Sequence, residues 1–261
     1  MTAATTHAPS ARLAERLRTR LTFQISVDTD NLPQGLSVAA AAEAAGITII
    51  EMGTPLLKFE GVLNVVPAFR RRFPEAVLLA DMKTMDGGGG EADVVFSGGA
   101  NIIDFLALAG EASARNAVAV RDQHRARDPD LARLVFADIL LPQQGPAQTA
   151  VDTARRMVDA GVDGVGIHLQ ADARAADISL WESSYLPDMA EAVFNAVGAE
   201  VSVQVVGGLS IARAKALASK GLKAFVVSGN MGQPDLAARY HLPPAEIEAL
   251  IERFLEDVTA G

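Results

Sequence analysis

The chain has 261 residues, of which 49% are hydrophobic but only 5% aromatic, so its core must be built from Ala, Val, Leu and Ile. That composition suits a parallel sheet covered by helices on both faces, in one domain of about 250 residues. Lys and Arg number 23 against 32 Asp and Glu, a net charge of -9, which argues against nucleic acid as a partner but not against an anionic ligand, since helix N-termini bind phosphate through backbone N–H groups.

Cysteine is absent, so disulfides and thiolate metal sites are excluded. No uninterrupted apolar run reaches the roughly 18 residues of a membrane span; the stretch 36–50 is broken by Glu43. The first twenty residues are rich in arginine, as transit peptides are, but Glu15 counts against one. The expectation is a tail disordered through about Ser10, a short amphipathic helix up to residue 20, and a cytoplasmic location.

Residues 21–261 read as one domain. Strands are expected at 22–28, 47–53, 76–82, 102–106, 134–139, 164–168, 200–206 and 224–228, where β-branched runs occur. Between them lie segments with apolar residues three and four apart, such as 63–73, 111–127 and 147–160, which read as helices. Gly161, Gly198 and Gly221 stand where a left-handed helix cap wants glycine. The run GGGG at 87–90 reads as a mobile loop. Eight strands separated by helices make an α/β protein with a closed (β/α)8 TIM barrel, because an open flavodoxin-like sheet stops at about five or six strands. Asp28, Glu51, Asp81 and His168 interrupt apolar strands at their C-terminal ends, the face where barrels place their chemistry.

The densest polar cluster is Asp81-Met82-Lys83-Thr84-Met85-Asp86. In an extended strand Asp81 and Lys83 share a face, and Asp86 follows where it can approach the ammonium. An isolated Asp-x-Lys is equally a structural ion pair; Glu51 and Asp28 at equivalent strand ends favour a site, because buried charges at this density need partners or a metal. His168 reads as an acid/base group with a structural histidine as the alternative, while His7, His124 and His241 are assigned to solvent. Gly207-Gly208 and Ser228-Gly229, after the last two strands, are candidate phosphate cradles. The arginine runs 70–72 and 155–156 read as solvated helix faces.

Residues 80–86, ADMKTMD, look like the D-x-K-x-x-D signature of the orotidine 5′-monophosphate decarboxylase suprafamily. Residues 51–61, EMGTPLLKFEG, resemble a segment of its sugar-phosphate branch, which contains 3-hexulose-6-phosphate synthase and 3-keto-L-gulonate-6-phosphate decarboxylase. Stretches 136–140, 161–168, 205–209 and 224–229 follow in order, so the likeness runs from about Phe23 to Gly232. It implies a lyase that binds a sugar phosphate, with Mg²⁺ (Mn²⁺ as a substitute) on Glu51 and Asp81. It further implies that Lys83 and Asp86 hold and protonate an enediolate, with Asp86 reaching across a homodimer interface. Asp28 would bond substrate hydroxyls and His168 would act as acid/base; Asp138 and Arg174 are counted with the substrate contacts. The chemistry agrees: Mg²⁺ prefers oxygen ligands, and a divalent ion and an ammonium stabilise charge on adjacent enediolate oxygens.

Within that branch, decarboxylases carry an arginine where this chain has Ala171, Glu where it has Asp138, and Thr where it has Val206. All three differences point to the synthase, which takes a proton from C1 of ribulose 5-phosphate and adds the 1,2-enediolate to formaldehyde. The alternatives are a decarboxylase of a 3-keto sugar-acid phosphate, a relative of altered sugar-phosphate specificity, and a non-catalytic barrel; the intact polar set argues against the last. Gln170 and Arg174 depart from the synthase pattern, and the segment 171–189, with Trp181, Glu182 and Tyr185, is longer than usual. Asn230 replaces a basic residue that some members place beside the phosphate. Two readings of Arg174 stay open: it supplies that charge, or it touches a different substrate.

Overall fold

In the computed structural model, which describes residues 7–142 and 147–260, eight runs rich in Val, Ile, Leu and Ala pair in parallel and close on themselves. They are β1 (Thr22–Val27), β2 (Ile49–Met52), β3 (Val77–Thr84), β4 (Ile102–Leu106), β5 (Leu134–Leu141), β6 (Gly164–Leu169), β7 (Ser202–Val206) and β8 (Ala224–Val227). Each strand pairs with the next, and β1 meets β8 through Thr22–Ala224 and Ile25–Val227. The helices are α1 (Ala8–Thr19), α2 (Leu32–Ala44), α3 (Thr54–Glu60), α4 (Val62–Arg72), α5 (Gly88–Ser97), α6 (Gly110–Arg127), α7 (Ala147–Asp159), α8 (Ala171–Ala176), α9 (Ser179–Glu182), α10 (Tyr185–Val197), α11 (Ile211–Ser219) and α12 (Pro244–Thr259). The expected (β/α)8 barrel is the fold.

Side chains alternate across a strand, so one set from each faces the helices and the other fills the barrel. The outer set, including Ile25, Ile50, Leu78, Ile103, Val165 and Val205, is buried against helix residues such as Val38, Val65, Phe69, Val95 and Ile251. The inner set is layered. Its lower layer is Ile49, Leu79, Ile102, Leu134 and Phe136, covered by Leu13 and Leu17 of α1. Gly164 admits the Phe136 ring, whose Cζ lies 2.5 Å from where a Cβ would stand. Two residues further along the same strands come Glu51, Asp81, Asp104 and Asp138, all buried. With α1 against the apolar base, these charges are left with the C-terminal mouth.

Several local expectations are corrected. Ser10 belongs to α1 rather than to a tail, and its buried Oγ accepts from Arg133 N at 2.9 Å and Arg125 Nε at 3.1 Å; residues 1–6 of the expected tail lie outside the described residues. The glycine run is not a loop. Gly87 caps α5 with φ 74, and Gly88 opens the helix against α6, where a Cβ would stand 2.7 Å from Ser113 O. Gly161 and Gly221 take left-handed φ values of 94 and 100, but Gly198 does not, with φ -64.

His124 is buried rather than solvated and meets Asp93 at 2.7 Å. Arg71, Arg72, Arg155 and Arg156 are exposed as expected, but Arg70 is tied to Asn101 Oδ1 at 2.7 Å and to the carbonyls of Gly99, Phe73, Pro74 and Ala76. Residues 171–189 fold into α8, α9 and the start of α10. No helix among the described residues is long and apolar enough to cross a membrane.

Candidate active site

Lys83 occupies the centre of the mouth, through a distortion of β3. The β3–β4 ladder pairs Asp81 with Asp104 and next pairs Thr84 with Phe105, so Met82 and Lys83 have no counterparts on β4. Such a bulge re-aims side chains. Lys83 itself has φ 50, rare for a residue with a side chain. The two residues therefore meet through a bulge and not along a flat strand. Lys83 Nζ donates to Asp81 Oδ1 and Oδ2 at 2.6 and 2.8 Å and to Asp138 Oδ2 at 2.9 Å. Burial works against the ammonium, but the Asp138 and Asp81 carboxylates outweigh it and hold its pKa well above the usual lysine range.

Asp138 is the second hub. Its Oδ2 also lies 2.6 Å from His168 Nδ1, across the β5–β6 ladder. The carboxylate has room because Gly166 stands beside it on β6; a Cβ there would collide with Asp138 Oδ1. With Nδ1–H donated to the carboxylate, Nε2 is the nitrogen able to take a proton. Burial disfavours the charge on Asp138, yet Lys83 and His168 hold its pKa below the usual carboxylate range.

On the β1–β2 side, Glu51 accepts from Gln24 Nε2 and faces Ser26 Oγ at 2.9 Å. Gln24 accepts in turn from Gln204 Nε2 at 2.8 Å. Asp28, just past β1, lies 3.0 Å from Ser26 Oγ and 3.3 Å from the Tyr240 hydroxyl, which also donates to Ser26 O at 2.7 Å. Gly53 admits the Asp28 carboxylate, which a Cβ would strike. Thr54 Oγ1, in the first turn of α3, lies 2.8 Å from Asp81 Oδ2 and 2.9 Å from Asp81 O. The pKa of Glu51 is pushed well up, first by burial and then by Asp81 and Asp28; that of Asp104 likewise, by burial and then by Asp138 and Asp81.

Asp81, Asp104 and Asp138 offer carboxylate oxygens that all lie within 4.8 Å of one another. Asp104 Oδ1 and Asp138 Oδ1 are buried with no hydrogen-bond partner. An all-carboxylate donor set with two unmet acceptor oxygens fits a hard divalent cation. Asp81 belongs both to this group and to the Glu51–Asp81 pair expected from sequence. Asp104 was not among the expected residues, nor were Gln24, Ser26, Thr54 and Tyr240.

The phosphate-cradle candidates form the opposite lip. Gly207 and Gly208 have φ 124 and 71, conformations suited to glycine. The amides of Gly208, Gly229 and Asn230 have no acceptor among the described residues. Ser228 Oγ lies 3.5 Å from Asn230 Oδ1. Arg174, on α8, overhangs Gly208 with Nη1 2.7 Å from where a Cβ would be. Asp86 is not drawn into the cluster of its own chain; it is exposed, its Oδ1 accepting from Gly87 N at 2.8 Å.

The family described as orotidine 5′-phosphate decarboxylase / HUMPS matches residues 22–233. A 3-hexulose-6-phosphate synthase of Mycobacterium gastri is 38% identical over 107 residues, which are 39% of this chain and 48% of that protein. One from Bacillus subtilis is 24% identical over 79% of this chain and 99% of its own. Among solved structures, a crystal structure of a 3-hexulose-6-phosphate synthase superposes with TM-score 0.72 at 25% identity, covering 90% of this chain and 99% of the other. The 3-keto-L-gulonate-6-phosphate decarboxylase of Vibrio cholerae shares the fold, with TM-score 0.69 at 23% identity over 93% and 99% of the two chains. With its barrel, its lysine-centred mouth and a match that spans all eight strands, the chain belongs to the orotidine 5′-phosphate decarboxylase / HUMPS family and is an enzyme of the lyase class.

Proposed function

We propose that the protein is a Mg²⁺-dependent aldehyde-lyase of the 3-hexulose-6-phosphate synthase type, a cytoplasmic homodimer that joins ribulose 5-phosphate to formaldehyde through a 1,2-enediolate. The observation that carries this reading is the continuous Asp81–Lys83–Asp138–His168 chain at the mouth, in a protein whose curated relatives include 3-hexulose-6-phosphate synthases. When bound, Mg²⁺ (or Mn²⁺) on Glu51 and Asp81 would supply positive charge for two adjacent substrate oxygens.

The chain's own side chains do the rest. His168, held by Asp138 at Nδ1, takes the C1 proton at Nε2. The Lys83 ammonium stabilises the negative charge that develops on oxygen as the C1–H bond breaks. Asp28 accepts hydrogen bonds from sugar hydroxyls. As C1 bonds to the formaldehyde carbon, the carbonyl electron pair moves to oxygen, which receives the proton back from His168. Asp138 acts by positioning Lys83 and His168. The amides at Gly207, Gly208, Ser228 and Gly229 take the phosphate.

Dimerisation finds support in four exposed apolar side chains. Phe59, Leu63, Met85 and Leu108 all lie in the segments that leave β2, β3 and β4 at the mouth end, with the exposed Asp86 among them. Asp86 would then serve the partner's site.

The fold likeness to the Vibrio cholerae enzyme favours a second reading, decarboxylation of 3-keto-L-gulonate 6-phosphate. Ala171 argues against it, because no guanidinium stands there for the departing carboxylate. Measuring kcat/KM for both reactions decides between them: condensation should be the faster, and Ala171→Arg should narrow the gap. Faster decarboxylation by the unaltered protein would reverse the assignment.

A further inference from the structure

One cation at the mouth is left uncommitted. Arg174 is part-buried, with the Asp28 carboxylate as its acidic neighbour and no hydrogen bond to its guanidinium among the described residues. Gly208, which it overhangs, follows β7, whereas Asp28 follows β1. Strand β8 lies between β7 and β1 in the ring. The side chain therefore lies beside the end of β7, on the part of the rim that leads through β8 to Asp28.

Two other polar side chains nearby are already engaged. Asn230 uses its amide on the carbonyls of Gly208, Leu209 and Gln233, at 3.2, 3.3 and 2.9 Å. Arg239 is held by Asp235 through both ends of its guanidinium, at 2.9 and 2.7 Å.

The segment that carries Arg174 is fastened to the cradle itself. Trp181, on α9, donates from Nε1 to Gly208 O at 2.9 Å. The Arg213 guanidinium covers the Trp181 ring at 4.8 Å and donates to Ser183 O at 3.2 Å. Gly208 is thus pinned by α9 from one side and overhung by α8 from the other.

We propose that α8 and α9 form a phosphate clamp in which Arg174 is the cation of the phosphate site, delivered from the β6 side and selecting phosphorylated over free sugars. A guanidinium above bare amides matches a phosphate monoester, which it can bind through two parallel N–H···O bonds. The inference rests on the proposed function only for the identity of the sugar.

Calorimetric titration with inorganic phosphate and with ribulose 5-phosphate, on the unaltered protein, Arg174→Ala, Arg174→Lys and Trp181→Phe, tests the clamp. Arg174→Ala should weaken both ligands roughly 10- to 100-fold, with Arg174→Lys intermediate because lysine binds phosphate as a point charge. Trp181→Phe should weaken both to a lesser degree. Melting temperatures without ligand should stay unchanged for Arg174→Ala, and in turnover its KM should rise more than its kcat falls. Unchanged phosphate affinity in Arg174→Ala would overturn the proposal. So would a loss confined to ribulose 5-phosphate, which would put the guanidinium on another part of the sugar. Absent condensation with formaldehyde, alongside Arg174-dependent phosphate binding, would reject the synthase reading and leave the clamp standing.

Discussion

Replacing Asp138 with asparagine keeps the shape of the side chain and removes its charge. A single oxygen, Oδ2, holds Lys83 Nζ at 2.9 Å and His168 Nδ1 at 2.6 Å. Hydrogen bonds to charged groups contribute ~1.5–3 kcal/mol each. Lys83 keeps both oxygens of Asp81, so the loss of stability should resemble one such bond. It should stay below the ~3–5 kcal/mol expected when a buried charge loses its only partner. At 2–4 °C per kcal/mol for a domain of this size, Tm should fall by roughly 3–12 °C. Catalysis should suffer more, because His168 loses the group that selects its tautomer, and general acid–base catalysis contributes about 10²–10⁴-fold. The assay is exchange of the ribulose 5-phosphate C1 proton with deuterated water, followed by NMR without formaldehyde. Asp138→Asn should exchange about 10²-fold or more slowly while binding inorganic phosphate normally. Exchange at the unaltered rate, with an unchanged pH profile, would refute the role of the Asp138–His168 pair.

Stability should also depend on pH. Burial, then neighbouring carboxylates, raises the pKa of Glu51 and Asp104, so between the unfolded and folded values the folded state binds more protons and loses stability as pH rises. Asp138, lowered, acts only at more acid pH, and Lys83, raised, only in the alkaline range. In chelator, Tm should therefore fall as pH rises above the ordinary carboxylate range, and Asp104→Asn should flatten that fall; a level curve for the unaltered protein would contradict it. Chelation should abolish turnover and Mg²⁺ or Mn²⁺ restore it, whereas Zn²⁺ should not, because His168 alone offers nitrogen; full activity in excess chelator would remove the metal from the account. Mixing Lys83→Ala with Asp86→Ala subunits should regenerate some activity if Asp86 serves the partner's site, and exchange of subunits without recovery would exclude that sharing.

The barrel was legible because eight β-branched runs alternate with helical spacings, with polar residues stopping the strands at one end, and the Asp81–Lys83 pair because two charges so close in a strand need each other. Asp104 was not. It sits inside Ile102-Ile103-Asp104-Phe105-Leu106, which reads as a buried strand, and only its pairing with Asp81 across β3 and β4 shows that it points inward. The parity of two from Ile102, matching that of Asp81 from Leu79, is the signal that could have found it. Lys83 meets Asp81 through a bulge rather than by strand parity, and a bulge needs a partner strand to be visible. The glycine run misled because glycine is a poor helix former, yet close contact with Ser113 demands Gly88 there. His124 misled because its helix is polar on the face it buries, and Asp93 of α5 comes from far along the chain. Tyr240, which follows β8, joins the site only through closure of β8 on β1, and Gln24 only through the pairing of β1 with β2, neither of which local periodicity encodes.

The central claim is that the mouth builds a nucleophile at C1 and gives it to formaldehyde. Incubating the protein with ribulose 5-phosphate, Mg²⁺ and carbon-13 formaldehyde, and following the label by NMR, tests this most directly. The account predicts that the label moves from formaldehyde into the terminal hydroxymethyl carbon of a hexulose 6-phosphate, and that Lys83→Ala and His168→Ala lose this transfer. Formaldehyde left unchanged beside ribulose 5-phosphate, in a protein shown to be folded and to bind that sugar, would contradict it.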